Sequence, residues 1–256
     1  MTGHSTTIAL GPDSLVDGDP ASGFLILCDH ASNALPQSYG TLGLPAAELE
    51  RHIAYDIGAA TVARTLAGVL GAPAVLAPCS RLLIDPNRGL DDPTLIMKLS
   101  DGAVVPGNSA MDAAERALRI DRYYRPYHQA IADRIDRALA LGRPPDLISI
   151  HSFTPFWKTV PRPWHVGILW EGDRRLPAAV IAELAADPAL VVGDNEPYAG
   201  GLPGDTMDTH ALRRGLRHAL IEIRQDLIAV ASDAVEWGER LAHILAKAVA
   251  RAGSPL

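Results

Sequence analysis

The sequence has few of the features that mark secreted, membrane-spanning or nucleic-acid-binding proteins. Its 256 residues include only two cysteines, Cys28 and Cys79, in no paired motif, which favours a reducing compartment over a disulfide scaffold. No apolar run approaches the ~18 residues that a membrane span needs. Basic side chains number 23 against 30 acidic ones, a net charge of -7, which argues against a nucleic-acid partner. The N-terminal stretch MTGHSTTIALGPDS lacks the basic and apolar regions of a signal peptide, so we expect a cytoplasmic protein with no membrane partner.

Two common hydrolase signatures are also absent. No GxSxG motif surrounds a serine, and Ser152 follows His151 instead of lying between glycines, which disfavours a nucleophilic serine hydrolase. No compact HExxH motif is present. Any zinc site must therefore be assembled from distant parts of the chain.

Short apolar runs alternate with helical segments along the chain, which indicates an α/β fold. Runs of strand length cover residues 24–28, 74–77, 147–150, 166–170, 190–192 and 219–223. Helical periodicity covers residues 46–71, residues 111–142 with an interruption near Pro126, and residues 233–253. The length fits one domain over residues 1–256, with an irregular segment over residues 1–20.

Two strand-length runs end in a histidine. His30 follows the first run and His151 follows the third. Ligands of open α/β sheets bind at the carboxyl ends of the strands, where both histidines are expected. With Asp56 they supply groups that can bind zinc. The alternative is that both histidines are hydrogen-bonded strand-end residues and that Asp56 is a solvated charge on a helix.

The stretch CSRLLIDPNRG contains a turn with two groups suited to an acidic ligand. The guanidinium of Arg88 matches a carboxylate bidentately, and Asn87 beside it adds a directed donor. The alternative is that Arg88 pairs with Asp85 or Asp91 at the surface.

The stretch LRHALIEIRQDL contains a carboxylate within an apolar strand. Strand alternation places His218, Leu220, Glu222 and Arg224 on one face. A carboxylate in this position is costly unless it is paired or has a function. The alternative is that Glu222 pairs with Arg224, its neighbour on the same face, and has only a structural role.

Seven stretches together resemble the N-formylglutamate amidohydrolase family, in order from His30 to Leu227. They are CDHASNALP, HIAYDIGA, SRLLIDPNR, YYRPYHQAI, ISIHSF, NEPYAGG and HALIEIRQDL. The resemblance implies a three-layer α/β/α fold with a mixed central sheet, as in zinc carboxypeptidases and aspartoacylases (phosphorylase/hydrolase-like). It also implies zinc-dependent hydrolysis of an amide in an N-acyl acidic amino acid, which for the namesake substrate releases formate and glutamate.

The same resemblance assigns the zinc ligands. His30 and His151 match positions that hold the metal, and Asp56 is the expected third ligand. His52 is a substitute for Asp56. Related aspartoacylases have a metal-binding glutamate three residues after the first histidine, where this chain has Asn33.

The resemblance also assigns the remaining roles. Glu222 is expected to act as the general base, and Arg81 to lie near the developing oxyanion. Asn87 and Arg88 are expected to hold the carboxylate of a small acidic substrate. Two alternatives are an amidohydrolase of the same fold that acts on another N-acyl amino acid or a small peptide, and a non-catalytic module that binds a metal or small acid.

Overall fold

A seven-stranded mixed sheet forms the centre of the computed structural model, which describes residues 10–11 and 13–253. The strands of the chain are β1 (Leu15–Val16), β2 (Phe24–Cys28), β3 (Ala74–Leu76), β4 (Leu99–Ser100), β5 (Ala103–Val104), β6 (Asp146–Phe153), β7 (Phe156–Trp157), β8 (Val160–Pro161), β9 (Val166–Leu169), β10 (Val192–Asp194) and β11 (His218–Arg224). The helices are α1 (Ala59–Leu70), α2 (Pro106–Ser109), α3 (Ala113–Arg119), α4 (Arg125–Ala140), α5 (Arg175–Ala185), α6 (Thr206–His210) and α7 (Ala231–Ala252).

The order of strands in the sheet is β1-β3-β2-β6-β11-β9-β10. The four central strands β3, β2, β6 and β11 run parallel, and so do β9 and β10. The β11–β9 and β1–β3 pairs are antiparallel. The carboxyl ends of β2, β6 and β11 therefore lie at the same edge of the sheet.

Helices cover both faces of the sheet. Alternate strand residues such as Ile26, Ile150 and Ile221 form one hydrophobic cluster with α1, α5 and α7. Residues of the opposite parity, including Leu27 and Leu220, form a second cluster with α4. This arrangement confirms the predicted three-layer α/β/α architecture, because side chains two residues apart on a strand share a face.

The predicted helix over residues 46–71 is wrong in its first half. A 3₁₀ turn covers Ala46–Glu50, and the α-helix begins only at Ala59. Gly58 has a φ of +81°, and a Cβ there would lie 2.1 Å from the Ile228 carbonyl oxygen. This left-handed turn stops a continuous helix and leaves Asp56 in an irregular segment.

Three smaller differences concern segment boundaries. The strand β10 covers Val192–Asp194, so the run predicted at 190–192 contributes only its last residue. Residues 15–16, within the segment predicted to be irregular, form β1 by pairing with β3, while residues 1–9 and 12 lie outside the described residues. The interruption predicted near Pro126 is a π-helical turn at Ile120–Tyr124, followed by Pro126 in the first turn of α4. Among the described residues, no helix is long and apolar enough to cross a membrane.

Candidate active site

Two strand ends and one irregular segment bring three predicted ligands together. His151 lies within β6, His30 follows β2, and Asp56 precedes α1. A hydrogen bond from the Asp56 backbone N–H to the His30 carbonyl, at 2.9 Å, fixes that irregular segment against the end of β2. All three side chains are buried, with 2% exposure each.

The Asp56 carboxylate lies between the two imidazoles. Its Oδ2 is 2.8 Å from His151 Nδ1 and 3.3 Å from His30 Nδ1. The other ring nitrogens face two further carboxylates, with 2.8 Å from His30 Nε2 to Asp85 Oδ1 and 2.9 Å from His151 Nε2 to Asp29 Oδ2. Each imidazole is thus held on both sides, and both Nδ1 atoms converge on Asp56.

This donor set fits a divalent metal. One ligand atom from each of His30, Asp56 and His151 lies within 4.8 Å of the other two, and no other such group of three was found in the described part of the chain. Two imidazoles and a carboxylate are typical ligands of a catalytic zinc. Metal-binding histidines commonly hydrogen-bond a carboxylate through their second nitrogen, as Asp85 and Asp29 do here. The Asp56 Oδ1 atom is buried without a hydrogen-bond partner among the described residues.

The charges of this cluster reinforce one another. Burial would lower the pKa of His151, but hydrogen bonds to Asp29 and Asp56 raise it well above its usual value. Burial would raise the pKa of Asp56, yet His30 and His151 hold it well below its ordinary range. A carboxylate that stays ionised in a buried site is suited to bind a cation.

Two residues that the sequence offered as alternative ligands lie outside the group of three. The Asn33 amide donates to the Leu49 carbonyl at 3.0 Å and to Glu50 Oε1 at 3.3 Å. His52 Nδ1 is 3.8 Å from Asp56 Oδ1, and burial lowers the pKa of His52 to about 4. Asp56, and not these two residues, therefore completes the arrangement with His30 and His151.

Glu222 lies beside the cluster on the neighbouring strand. It pairs in register with His151 across β11 and β6, and its exposed fraction is 7%. Arg224 makes hydrogen bonds to Asp226 at 2.8 and 3.1 Å, so the alternative in which Arg224 neutralises Glu222 is wrong. The Oε2 atom of Glu222 has no hydrogen-bond partner among the described residues. Burial raises the pKa of Glu222 to about 7.

Arg81 is partly buried next to two carboxylates of the cluster. Its Nη2 donates to Asp85 Oδ2 at 2.9 Å, and its Nη1 lies 3.5 Å from Asp56 Oδ1. Burial would lower the pKa of Arg81, but Asp85 and Asp56 raise it. Its Nε is buried and has no hydrogen-bond partner in the described structure. Arg81 thus brings a fixed positive charge to the edge of the cluster.

Asn87 and Arg88 lie on the loop that follows Asp85. The Asn87 side-chain oxygen accepts from the Thr206 backbone N–H at 3.1 Å. Arg88 donates to Thr94 Oγ1 at 3.1 Å and to the Asn87 carbonyl at 2.7 Å. Among the described residues, Arg88 makes no ion pair with Asp85 or Asp91, so the alternative of a surface ion pair is not what the structure shows.

All seven predicted site residues line or adjoin one cavity of about 440 Å³. The three candidate metal ligands, Arg81, Asn87, Arg88 and Glu222 are all among its lining residues. Several further lining residues were not predicted from the sequence as part of the site. They include Leu169, Trp170, Tyr198, Asp205, Met207 and His218. Asp29 and Asp85 were not predicted as partners of the histidines. Their positions, Asp29 directly before His30 and Asp85 at the start of the DPNR turn, could have indicated this role.

Comparisons with known proteins identify the family of this chain. The family model for N-formylglutamate amidohydrolase matches residues 22–229. A gene product of Agrobacterium tumefaciens, known from its crystal structure, is 38% identical, with a TM-score of 0.85 over 92% of this chain and 94% of that one. The N-formylglutamate amidohydrolase of Ralstonia eutropha shares the fold at 20% identity, with a TM-score of 0.68 over 93% of this chain and 100% of that one.

A comparison with curated proteins found no significant match. The family match extends over most of the sheet and includes every residue of the cavity described above. The chain therefore belongs to the N-formylglutamate amidohydrolase family and is an amidohydrolase.

Proposed function

We propose that the chain is a zinc-dependent enzyme that hydrolyses the amide bond of an N-acyl acidic amino acid such as N-formylglutamate. One observation carries this proposal. A cluster of two imidazoles and a carboxylate lies beside an unpartnered glutamate in a single cavity that also contains arginines. The proposed substrate is a small acidic molecule, and the proposed location of the enzyme is the cytoplasm.

His30, Asp56 and His151 would hold the metal, oriented by the Asp85 and Asp29 carboxylates. When bound, zinc supplies Lewis-acid polarisation of a carbonyl and lowers the pKa of a water molecule towards ~7. Since both outer carboxylates are fully buried, they also fix which imidazole nitrogens remain free for a ligand.

Glu222 carries the proton from the attacking water to the leaving amine. Its Oε2 atom accepts a proton from the attacking water as the new C–O bond forms. The same oxygen then returns that proton to the nitrogen of the leaving amine as the C–N bond breaks. A pKa of about 7 suits both steps, because a group that alternates between base and acid works best near the operating pH.

The cationic side chains bind and stabilise the reacting anions. The unpartnered Nε–H of Arg81 is available to the negative charge that develops on the amide oxygen. A donor of this kind contributes about 3 to 4 kcal/mol to the transition state. Arg88 and Asn87 hold the substrate carboxylate, since a guanidinium beside an amide donor matches a planar anion.

Metal removal and return test the proposed activity. We expect the protein to release formate from N-formylglutamate, to lose at least about nine-tenths of that activity after dialysis against a chelator, and to recover it with one equivalent of zinc. Glutamate, which both N-formylglutamate and the comparison substrate N-acetylglutamate would release, can be measured with a coupled glutamate dehydrogenase assay. Full activity in the chelator-treated protein would contradict metal dependence. A protein that hydrolyses neither substrate with zinc present would contradict the proposed substrate class.

A further inference from the structure

One face of α4 contacts the loop that carries Asn87 and Arg88. This loop belongs to no helix or strand, so side chains from other elements must fix its backbone. His128 Nε2 lies 3.0 Å from the Pro86 carbonyl oxygen, and the Tyr124 hydroxyl donates to the Arg88 carbonyl at 2.9 Å. The carbonyl groups on either side of Asn87 are therefore both held by α4.

His128 is the hydrogen-bond donor on which the Pro86 carbonyl depends. The Thr206 hydroxyl is the other candidate, at 3.4 Å from that oxygen, but it lies only 2.6 Å from Asp29 Oδ1. A hydroxyl has one proton, and the shorter contact with a carboxylate takes it. Because a carbonyl can only accept, His128 Nε2 must carry the proton in its contact with Pro86.

A second histidine fixes the tautomer of His128. With Nε2 protonated, the Nδ1 atom of a neutral His128 is an acceptor, and it lies 2.8 Å from His210 Nε2. Burial lowers the pKa of His128, and it lowers the pKa of His210 to about 3, so both rings are uncharged at neutral pH. The result is a hydrogen-bond chain with one direction, from His210 through His128 to the Pro86 carbonyl.

These supporting side chains lie outside the active-site cavity. Tyr124, His128 and His210 line a separate cavity of about 890 Å³, and they are not among the described residues that line the active-site cavity. Asn87 and Arg88 do line the active-site cavity. Any effect of the three supporting residues on a bound substrate must therefore pass through the loop.

The backbone of the loop determines where its two substrate-binding side chains point. The Asn87 N–H donates to Asp85 Oδ1 at 2.9 Å. The Asn87 side-chain oxygen accepts from the Thr206 N–H, which leaves the side-chain NH₂ group for a ligand. A rotation of the peptide after Pro86 or Arg88 would displace these side chains, and a small displacement is enough to break a bidentate contact.

We propose that Tyr124 and His128 are positioning residues that hold Asn87 and Arg88 in the geometry that binds the substrate carboxylate. His210 holds His128 in the tautomer that this role requires. The inference rests on the proposed amide hydrolysis and on the proposed role of Asn87 and Arg88. It gives a role to the stretch YYRPYHQAI, which has none in the mechanism above.

Double-mutant cycles on zinc-loaded protein test the inference. The single variants are Tyr124→Phe, His128→Leu and Arg88→Lys, each α4 variant is also combined with Arg88→Lys, and kcat and KM are measured for N-formylglutamate. We expect KM to rise about 5- to 10-fold in His128→Leu and about 2- to 5-fold in Tyr124→Phe, with kcat within about twofold of the wild type. In the Arg88→Lys background, either α4 change should raise KM by less than about twofold more, because the bidentate geometry is already lost.

Two further variants separate positioning from a general structural effect. His128→Gln keeps an N–H near the Nε2 position and should have a KM within about threefold of the wild type. Gln129→Ala is the control, because Gln129 is exposed on the same helix and donates to Asp133 of that helix. We expect this control to match the wild type in both kcat and KM.

Three results would overturn the inference and leave the amidohydrolase proposal in place. They are a fall in kcat with unchanged KM, KM increases that multiply in the combined variants, and a His128→Gln protein as impaired as His128→Leu. If His128→Leu does not fold, the Tyr124→Phe cycle decides by the first two criteria, because this variant loses a single oxygen atom. A wild type inactive on N-formylglutamate would instead refute the proposed function, and the inference with it.

Discussion

At the scale of single residues, the site is a chain of alternating carboxylates and imidazoles. Asp85, His30, Asp56, His151 and Asp29 contact one another in that order, each at 3.3 Å or less. Only the central carboxylate faces both imidazoles. Both Nδ1 atoms and this carboxylate would hold the cation, so loss of the carboxylate should weaken metal binding strongly.

The variants Asp56→Asn and Asn33→Ala test whether Asp56 or Asn33 is the third metal ligand. Because a neutral amide loses the attraction to a divalent cation, we expect zinc to fall well below one equivalent per chain. Asn33→Ala is the matched control and should keep full zinc, since the Asn33 amide contacts Leu49 and Glu50 instead. Metal content can be measured by mass spectrometry on folded protein. Full zinc in Asp56→Asn, or its loss in Asn33→Ala, would refute Asp56 as the third ligand.

Arg88→Lys tests the carboxylate clamp. Lysine keeps the charge but cannot form a bidentate contact, so we expect KM for N-formylglutamate to rise about tenfold or more with a smaller change in kcat. Arg213→Lys is the control, because Arg213 is exposed and pairs with Asp208. A KM equal to that of the wild type would show that Arg88 is only a surface charge.

At the scale of elements, β11 places a carboxylate in the centre of a sheet. Glu222 has His151 on one side and Gly167 of β9 on the other. The strand thus buries an acid that its apolar neighbours do not neutralise. The result is a raised pKa, which has a measurable effect on folding.

The pH dependence of stability should reveal the raised pKa of Glu222 in the metal-free protein. The pKa of Glu222 is about 7 when folded, against an ordinary value of 4.5. Below pH 4.5 the group is protonated in both states. As the pH rises towards 7, the unfolded chain ionises first, so the stability contributed by the protonated folded form is lost. We expect the free energy of unfolding of the wild type to fall relative to Glu222→Gln by up to about 3 kcal/mol across this range. Urea unfolding can measure it, and parallel pH profiles for the two proteins would contradict the raised pKa.

The strands were more predictable than the segment that carries Asp56. Apolar runs of strand length identified β2, β6, β9 and β11, because a sheet covered on both faces buries nearly every strand residue. Periodicity failed over residues 46–58, where the left-handed Gly58 and the contact between Asp56 and His30 override helix propensity. Local pattern contains no information on a backbone contact between residues 26 positions apart.

At the scale of the whole molecule, parallel strands and their crossovers gather residues from across the chain at one edge of the sheet. The sequence predicted His30, His151 and Glu222 there because each lies in or just after a strand with a recognisable pattern. Asp29 and Asp85 became partners of the histidines only through the tertiary fold. His218 was placed on the same strand face as Glu222, but its position in the cavity also depends on Leu169 of β9 and Met207 of α6, which line the same cavity.

The central claim is that a metal cluster and a glutamate base act together in one cavity. The turnover of Glu222→Gln, measured with its zinc content, tests it most directly, because glutamine keeps the shape and removes the basicity. We predict one zinc per folded chain and a kcat for N-formylglutamate lower than that of the wild type by about 10² to 10⁴. A folded Glu222→Gln protein with full zinc and a near wild-type kcat would contradict this account.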